Sequence, residues 1–277
     1  MMNVDIRAVA LDLDGTLLGP DHKVSPFTIK IINQLADSGI ACIIATGRSV
    51  GVLRTGGDFP SHMYAVCLNG AQLAHLSEEQ PLEETFLPEP LSRAVTETFA
   101  AHRHHLHAYV GEKLWCENAN MELLGKYGPQ FQRLKIFEYI RFADKPQDRI
   151  LKFVSAGKED LLDPILADLR KRLEEIEPGF SKNLYANYSM PGILEIQDSR
   201  MDKGVGLARI LKRMDLGPEH LLAIGDGNND VPMWELAKIP VVMSNSFEGL
   251  KQRGYYLAPG NGEDGAAQFL RAWFHLA

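Results

Sequence analysis

Cysteine is scarce in this 277-residue chain: Cys42, Cys67 and Cys116 lie far apart and form no CxxC pair. That spacing excludes a disulfide framework and a zinc knuckle, and the three read as reduced core thiols. Positive charge is also short, with 29 Lys and Arg against 36 Asp and Glu and a formal net charge of -7. Nucleic acids and anionic membranes reward clustered Lys and Arg, so neither is an expected partner. No run approaches the roughly 20 apolar residues of a membrane span. The acids in MMNVDIRAVALDLDGT interrupt the uncharged apolar stretch that a signal peptide needs. A soluble cytoplasmic protein is the expectation. Internal repeats and low-complexity stretches are missing as well.

What is present is a globular balance, 45% hydrophobic and 23% charged, over a length that exceeds one usual domain. RAVALDLDGT, from residue 7, is an apolar run ending abruptly in acids and a glycine, as a buried strand does at its carboxyl end. IACIIATGR and HMYAVCLNGA repeat the pattern. Between them, Ser25-Pro26 predicts an N-cap followed by proline at the first helical position, with a helix over 26–38 closed by Gly39. Residues 83–189 mix alternating segments such as LHAYVGEKLWCE with helices such as EDLLDPILADLRKRLEEI, and read as an inserted α+β unit. The first style returns at GILEIQ and runs through the helix DKGVGLARILKRM, the strand LLAIGDG, a helix near 230–237 and the strand IPVVM. The expected fold is therefore α/β. A doubly wound parallel-sheet core, residues 1–82 and 190–277, is interrupted by the unit 83–189, and its ligand crevice lies beyond the carboxyl ends of the strands.

The polar residues fall at those ends. Asp12 and Asp14 flank Leu13 after the first strand. Side chains two apart on an extended strand point the same way, so close carboxylates need a cation or a shared proton. Mg2+ meets that demand with oxygen ligands. An isolated DxD can equally be an acid pair facing solvent; DLDGT directly after an apolar strand is more specific. GDGNND, 225–230, follows LLAI and supplies Asp226, Asn229 and Asp230, which alone could be only a turn. Thr46, in ATGRS, could accept phosphate oxygens together with the N–H of Gly47, or could simply cap a helix. Lys203 opens a predicted helix behind the cap Asp202, a place where lysines are usually solvated.

Taken together, acid pair, hydroxyl residue, lysine and second acid cluster, in that order, resemble the four motifs of the haloacid dehalogenase superfamily of phosphotransferases. The resemblance covers nearly the whole chain. The inserted unit, CLNGA at 67–71 and GDxxND look like the Cof-like branch of sugar-phosphate phosphatases. Carried over, it implies Asp12 as nucleophile, with Asp14 as general acid then base and its backbone carbonyl on the metal. Lys203 would neutralise Asp12 and phosphate. Mg2+ would lie at Asp12, Asp14 and Asp226, with Asp230 supporting directly or through water. Thr46, Gly47 and Asn69 would hold the phosphoryl group, and Asn229 and Asn245 would support the site. Ser244 and Ser246 depart from the branch's smaller residues beside Asn245. The substrate implied is a small phosphorylated metabolite, selected by an inserted cap hinged near 80–84 and 188–192, with Pro191-Gly192 in the second hinge. A raised pKa is expected for Asp14 if it is to act as an acid. A phosphomutase of the phosphomannomutase type and a non-enzymatic phosphoaspartate signalling domain share parts of this pattern.

The tract HRHHLH, 102–107, has metal-binding residue types but no accompanying acids and reads as surface. Trp115 and Tyr109 in the following hairpin read as packing residues.

Overall fold

In a computed structural model, residues 4–56, 58–111, 113–118, 137–253 and 255–277 are described. The chain divides into two compact units, one formed by Met1–Glu84 with Met201–Ala277 and the other by Thr85–Arg200.

The first unit is built on an eight-stranded sheet. In chain order its strands are β1 (Ala8–Leu11), β2 (Ala41–Ala45), β3 (Tyr64–Cys67), β4 (Gln72–His75) and β5 (Glu83–Glu84). After the second unit come three more, β12 (Leu221–Gly225), β13 (Ile239–Met243) and β14 (Tyr256–Ala258). Across the sheet they run β14-β13-β12-β1-β2-β3-β4-β5. Pairing is parallel from β14 to β3 and antiparallel at β3–β4 and β4–β5, so the core sheet is mixed at one edge.

The near-continuous apolar strands follow from burial on both faces. In β1, Val9 and Leu11 pack with Ile31, Ile32 and Leu35 of helix α1 (Pro26–Asp37). Ala8 and Ala10, on the opposite face, pack with Leu207, Ile210 and Leu211 of a helix at Lys203–Arg213, called α5 below. Helix α1 begins as its sequence dictates: Ser25 Oγ accepts from the N–H of Thr28 at 3.0 Å, with Pro26 at the first position.

The second unit holds a six-stranded sheet. Its strands are β6 (Leu106–Val110), β7 (Lys113–Glu117), β8 (Phe137–Tyr139), β9 (Lys152–Ala156), β10 (Leu184–Met190) and β11 (Ile193–Asp198), in the order β10-β11-β9-β6-β7-β8. Helices α3 (Glu89–Ala101) and α4 (Glu159–Ile176) cover one face. Their apolar stripes, Leu91, Val95 and Phe99 with Leu162, Ile165, Leu169 and Leu173, close on Leu106, Ala108, Trp115, Phe153 and Leu194. Trp115 is thus a packing residue, and Tyr109 is buried.

Three details differ from the sequence reading. GILEIQ forms β11, paired antiparallel with β9 and β10 in the second sheet rather than returning to the first. An apolar alternating strand advertises a buried face but not its partners. Pro191-Gly192 is the tight turn between β10 and β11, the ordinary use of such a pair, and the division between units falls instead at Arg200–Met201. The tract HRHHLH also departs from a surface reading, since His105 and His107 are buried where the chain enters β6. Among the described residues, no helix is long and apolar enough to cross a membrane.

Candidate active site

The four sequence motifs meet at the carboxyl ends of β1, β2 and β12 and at the N-terminus of α5. Asp12 follows β1 directly, and its backbone N–H donates to Ile224 O on β12 at 3.0 Å, which fixes it beside the second acid cluster. Helix α5 is capped by Asp202, whose Oδ1 accepts from the N–H of Val205 at 2.7 Å. That cap sets Lys203 at the first helical position, where its ammonium is fully buried. Nζ donates to Asp12 Oδ1 and to Asp230 Oδ1, both at 2.6 Å. Asp230 is saturated from its other side, since Oδ2 accepts from the N–H groups of Asp226 and Gly227, each at 2.9 Å. One carboxylate oxygen each from Asp12, Asp226 and Asp230 lie within 4.8 Å of one another. Thr16 Oγ1 donates weakly to Asp226 Oδ1, at 3.5 Å.

Gly15 lets the loop after β1 lie against this cluster. Its φ is +82°, and a Cβ there would fall 2.1 Å from Asp226 Oδ2.

Charge in the pocket is unbalanced. Among the described residues three carboxylates face one ammonium, an excess of two negative charges if all are ionised. Burial pushes the Asp12 carboxyl up to about 8; Lys203 opposes the rise, while Asp230 and Asp226 add to it. Asp226 is raised to about 6, first by burial and then by Asp230. Burial alone would discharge Lys203, but Asp12 and Asp230 outweigh it and hold the ammonium above its usual range. The raised carboxyl and the strengthened ammonium point opposite ways for one contact. The 2.6 Å geometry favours the ionised pair, with the surplus negative charge left for a further cation. Hard oxygen donors and an excess of two negative charges suit a divalent ion such as Mg2+.

Asp14 does not join the cluster through its side chain. β1 ends at Leu11, and Asp14 lies in a turn with φ −75° and ψ 116° that leads into Gly15, so the alternation of an extended strand no longer governs it. Its carboxylate, about half exposed, is gripped by Arg48, with Nε 2.8 Å from Oδ2 and a second contact from Nη2 to Oδ1. Arg48 was overlooked in the sequence, although it directly follows Thr46-Gly47; a guanidinium beside a candidate phosphate-binding turn was the available signal.

Thr46 is buried, and its Oγ1 accepts from the N–H of Arg48 at 3.2 Å, forming the turn that contains Gly47. Asn69, buried and at φ +50°, is tied to the same turn by its N–H to Thr46 O at 3.0 Å. Asn229 is exposed in the turn before Asp230. Asn245 works on the loops: Nδ2 donates to Gly15 O at 2.9 Å, and Oδ1 accepts from the N–H of Asn261 at 3.0 Å. Ser244 donates its N–H to Ala258 O at 2.9 Å, and Ser246 is buried.

The chain is similar to known proteins over nearly its whole length. The family model of haloacid dehalogenase-like hydrolases matches residues 9–270. A pyridoxal phosphate phosphatase of Escherichia coli is 27% identical, covering 95% of this chain and 97% of the relative. A 5-amino-6-(5-phospho-D-ribitylamino)uracil phosphatase of Bacillus subtilis is 24% identical over 98% of this chain and 97% of its own. Among solved structures, a haloacid dehalogenase-like hydrolase from Bacteroides thetaiotaomicron superposes with a TM-score of 0.82 at 22% identity, covering 97% of this chain and all of its own. A subclass IIB sugar phosphatase gives 0.77 at 18% identity, over 98% of this chain and all of its own. With its family model matched across almost the full length, the chain belongs to the haloacid dehalogenase-like hydrolases, in their Cof-like branch.

Proposed function

We propose that this hydrolase is a Mg2+-dependent phosphatase that releases inorganic phosphate from small phosphate monoesters through a phosphoaspartate on Asp12. The observation that carries the reading is Lys203, buried and shared between Asp12 and Asp230, with an oxygen of Asp226 within 4.8 Å of an oxygen of each of those carboxylates. The names of the two curated relatives, both phosphatases of small phosphorylated metabolites, support the same substrate class.

In this reading Asp12, Asp226 and the backbone carbonyl of Asp14 would hold Mg2+. Asp230, its oxygens already accepting from Lys203 and two backbone N–H groups, would act at one remove. The ion supplies charge neutralisation between two anions that otherwise repel. Lys203 keeps Asp12 ionised by holding Oδ1, which leaves Oδ2 to attack phosphorus as the ester P–O bond breaks. Thr46 and the N–H of Gly47 orient the phosphoryl oxygens, and Asn69 steadies that turn. Asp14, once it has left Arg48 and taken up a proton from solvent, gives that proton to the leaving oxygen. Water then attacks the phosphorus of the phosphoaspartate, Asp14 takes its proton, and the bond to Asp12 breaks. Two easier displacements replace one difficult one. Choice among monoesters is assigned to the inserted unit.

The test is a panel of sugar, pyridoxal and ribityl phosphates assayed for phosphate release, with Mg2+ and again with chelator. Release that needs Mg2+ and vanishes in Asp12→Asn is expected. Isomerised sugar phosphate without free phosphate, or full activity of Asp12→Asn, overturns the reading.

A further inference from the structure

Three metal-ligating side chains from the second unit converge on one side of its sheet, where the mechanism above uses none of them. His107 on β6 lies directly opposite Cys116 on β7 in the antiparallel pairing, so the two side chains share a face. His105 lies just before β6, and its ring contact with His107 places it beside the same pair. Its ring stands edge-on to that of His107, with centroids 4.1 Å apart. A ring nitrogen from each histidine and Sγ of Cys116 all lie within 4.8 Å of one another. The three residues are 4%, 2% and 1% exposed, and Leu106 and Ala108 turn the other way into the helix-covered core.

We propose that His105, His107 and Cys116 form a second metal site, specific for a borderline divalent ion such as Zn2+ and distinct from the aspartate pocket.

The donor set argues for this class of ion. Two imidazoles and a thiolate are softer than the carboxylates that suit Mg2+, so the two sites sort different metals. Zinc takes nitrogen at about 2.0 Å and sulfur at about 2.3 Å, which puts tetrahedral donors roughly 3.3–3.6 Å apart. The donors already lie within 4.8 Å of one another, so binding would draw them inward to that spacing, with His107 and Cys116 held opposite each other on two hydrogen-bonded strands. Three protein ligands leave the fourth position for water or another small ligand. His105 is already oriented, because its ring hydrogen-bonds the backbone of Asn118.

Protonation suits the assignment. Burial holds His105 down to about 4; it also holds His107 down to about 3, with His105 adding to the effect, so both rings are neutral at physiological pH. Burial pushes the Cys116 thiol up to about 12, so the metal takes the place of one proton, released to solvent as the Cys116–metal bond forms. Two histidines and a cysteine packed merely as core would show no preference for Zn2+ over Mg2+.

Co2+ is the probe, added to the full chain after chelator treatment and in excess Mg2+, which competes for the aspartate pocket. One equivalent should develop the intense near-ultraviolet charge-transfer band of a cobalt–thiolate bond, and Zn2+ should bleach it. Carboxylates cannot produce that band, so Asp226→Asn should keep it at full amplitude. Cys116→Ser should abolish it, and His107→Gln should weaken Co2+ binding at least tenfold. Circular dichroism establishes that each variant is folded. The wild-type experiment stands without any variant: no thiolate band at saturating Co2+ overturns the site. Persistence of the band in Cys116→Ser overturns it equally, since Cys42 or Cys67 would then be the ligand.

Discussion

Arg48 holds Asp14 by both carboxylate oxygens, a two-point grip that spans 34 positions of sequence and joins the loops after β1 and β2. Lysine cannot reproduce that planar fork. If the grip sets where Asp14 waits before proton transfer, Arg48→Ala should lower kcat by about 10- to 100-fold, the worth of a hydrogen bond to a charged group. Arg48→Lys should recover little. Unfolding free energy should change by under about 1 kcal/mol, because the Asp14 end of the pair is half exposed and screened. Steady-state kinetics beside urea denaturation separate the two effects. A loss of stability with kcat intact would make the pair structural.

Lys203 carries the opposite expectation. Among the described residues it is the one ammonium contacting the buried carboxylates of Asp12 and Asp230, so Lys203→Met leaves them facing each other without it. Breaking a buried pair from one side costs about 3–5 kcal/mol. Urea denaturation should show a loss of that order, with phosphatase activity abolished. Adding Asp12→Asn to Lys203→Met should return part of the stability and none of the activity. A single variant as stable as wild type would mean that the pocket solvates its carboxylates by other means.

How far this site could be read from residues alone depends on what each pattern encodes. An apolar run that stops at an acid marks a buried strand and its end, which is why Asp12, Thr46 and Asp226 were legible as neighbours. The start of α1 was equally plain, because Ser25 and Pro26 act on the backbone within one turn. Asp14 was misplaced because alternation was extended two residues past the end of β1. The partners of β11, and the meeting of Cys116 with His107, depend on register between strands, to which a single strand's pattern is silent.

Glu174 gives a dependence on pH within the second unit. Near the end of α4 its carboxylate accepts from the hydroxyl and N–H of Ser181 and from the N–H of Gly179, the last at 2.7 Å. Those bonds, that of the Ser181 hydroxyl first, hold its pKa below the usual 4.5. A carboxyl depressed in the folded state contributes its stability above the unfolded value and loses it as pH falls through the folded one. The melting temperature of wild type should therefore exceed that of Glu174→Gln at about pH 6, and the gap should narrow as pH falls below 4.5 toward the lower folded-state value. A gap that widens on acidification would contradict the assignment.

Gly70 tests whether Lys203 is placed by backbone packing rather than by its own ion pairs. At φ +105° it lies in a conformation that side chains rarely adopt, and a Cβ built on it would come 2.2 Å from the carbonyl oxygen of Asp202. Nothing at the end of a flexible side chain can yield there; the obstacle is the backbone of the residue that caps α5. Gly70→Ala must therefore push the start of α5 away from the turn after β3 and carry Lys203 with it. Backbone strain of this kind costs about 1–3 kcal/mol, to which the clash adds. Stability should fall by at least that much. The kinetic signature is more specific: an ammonium drawn away from Asp12 lowers kcat, while substrate contacts made elsewhere leave KM within about threefold. If Gly70→Ala is destabilised but turns over normally at a temperature where it is folded, the ion pairs to Asp12 and Asp230 are sufficient to seat Lys203, and the turn serves the fold alone.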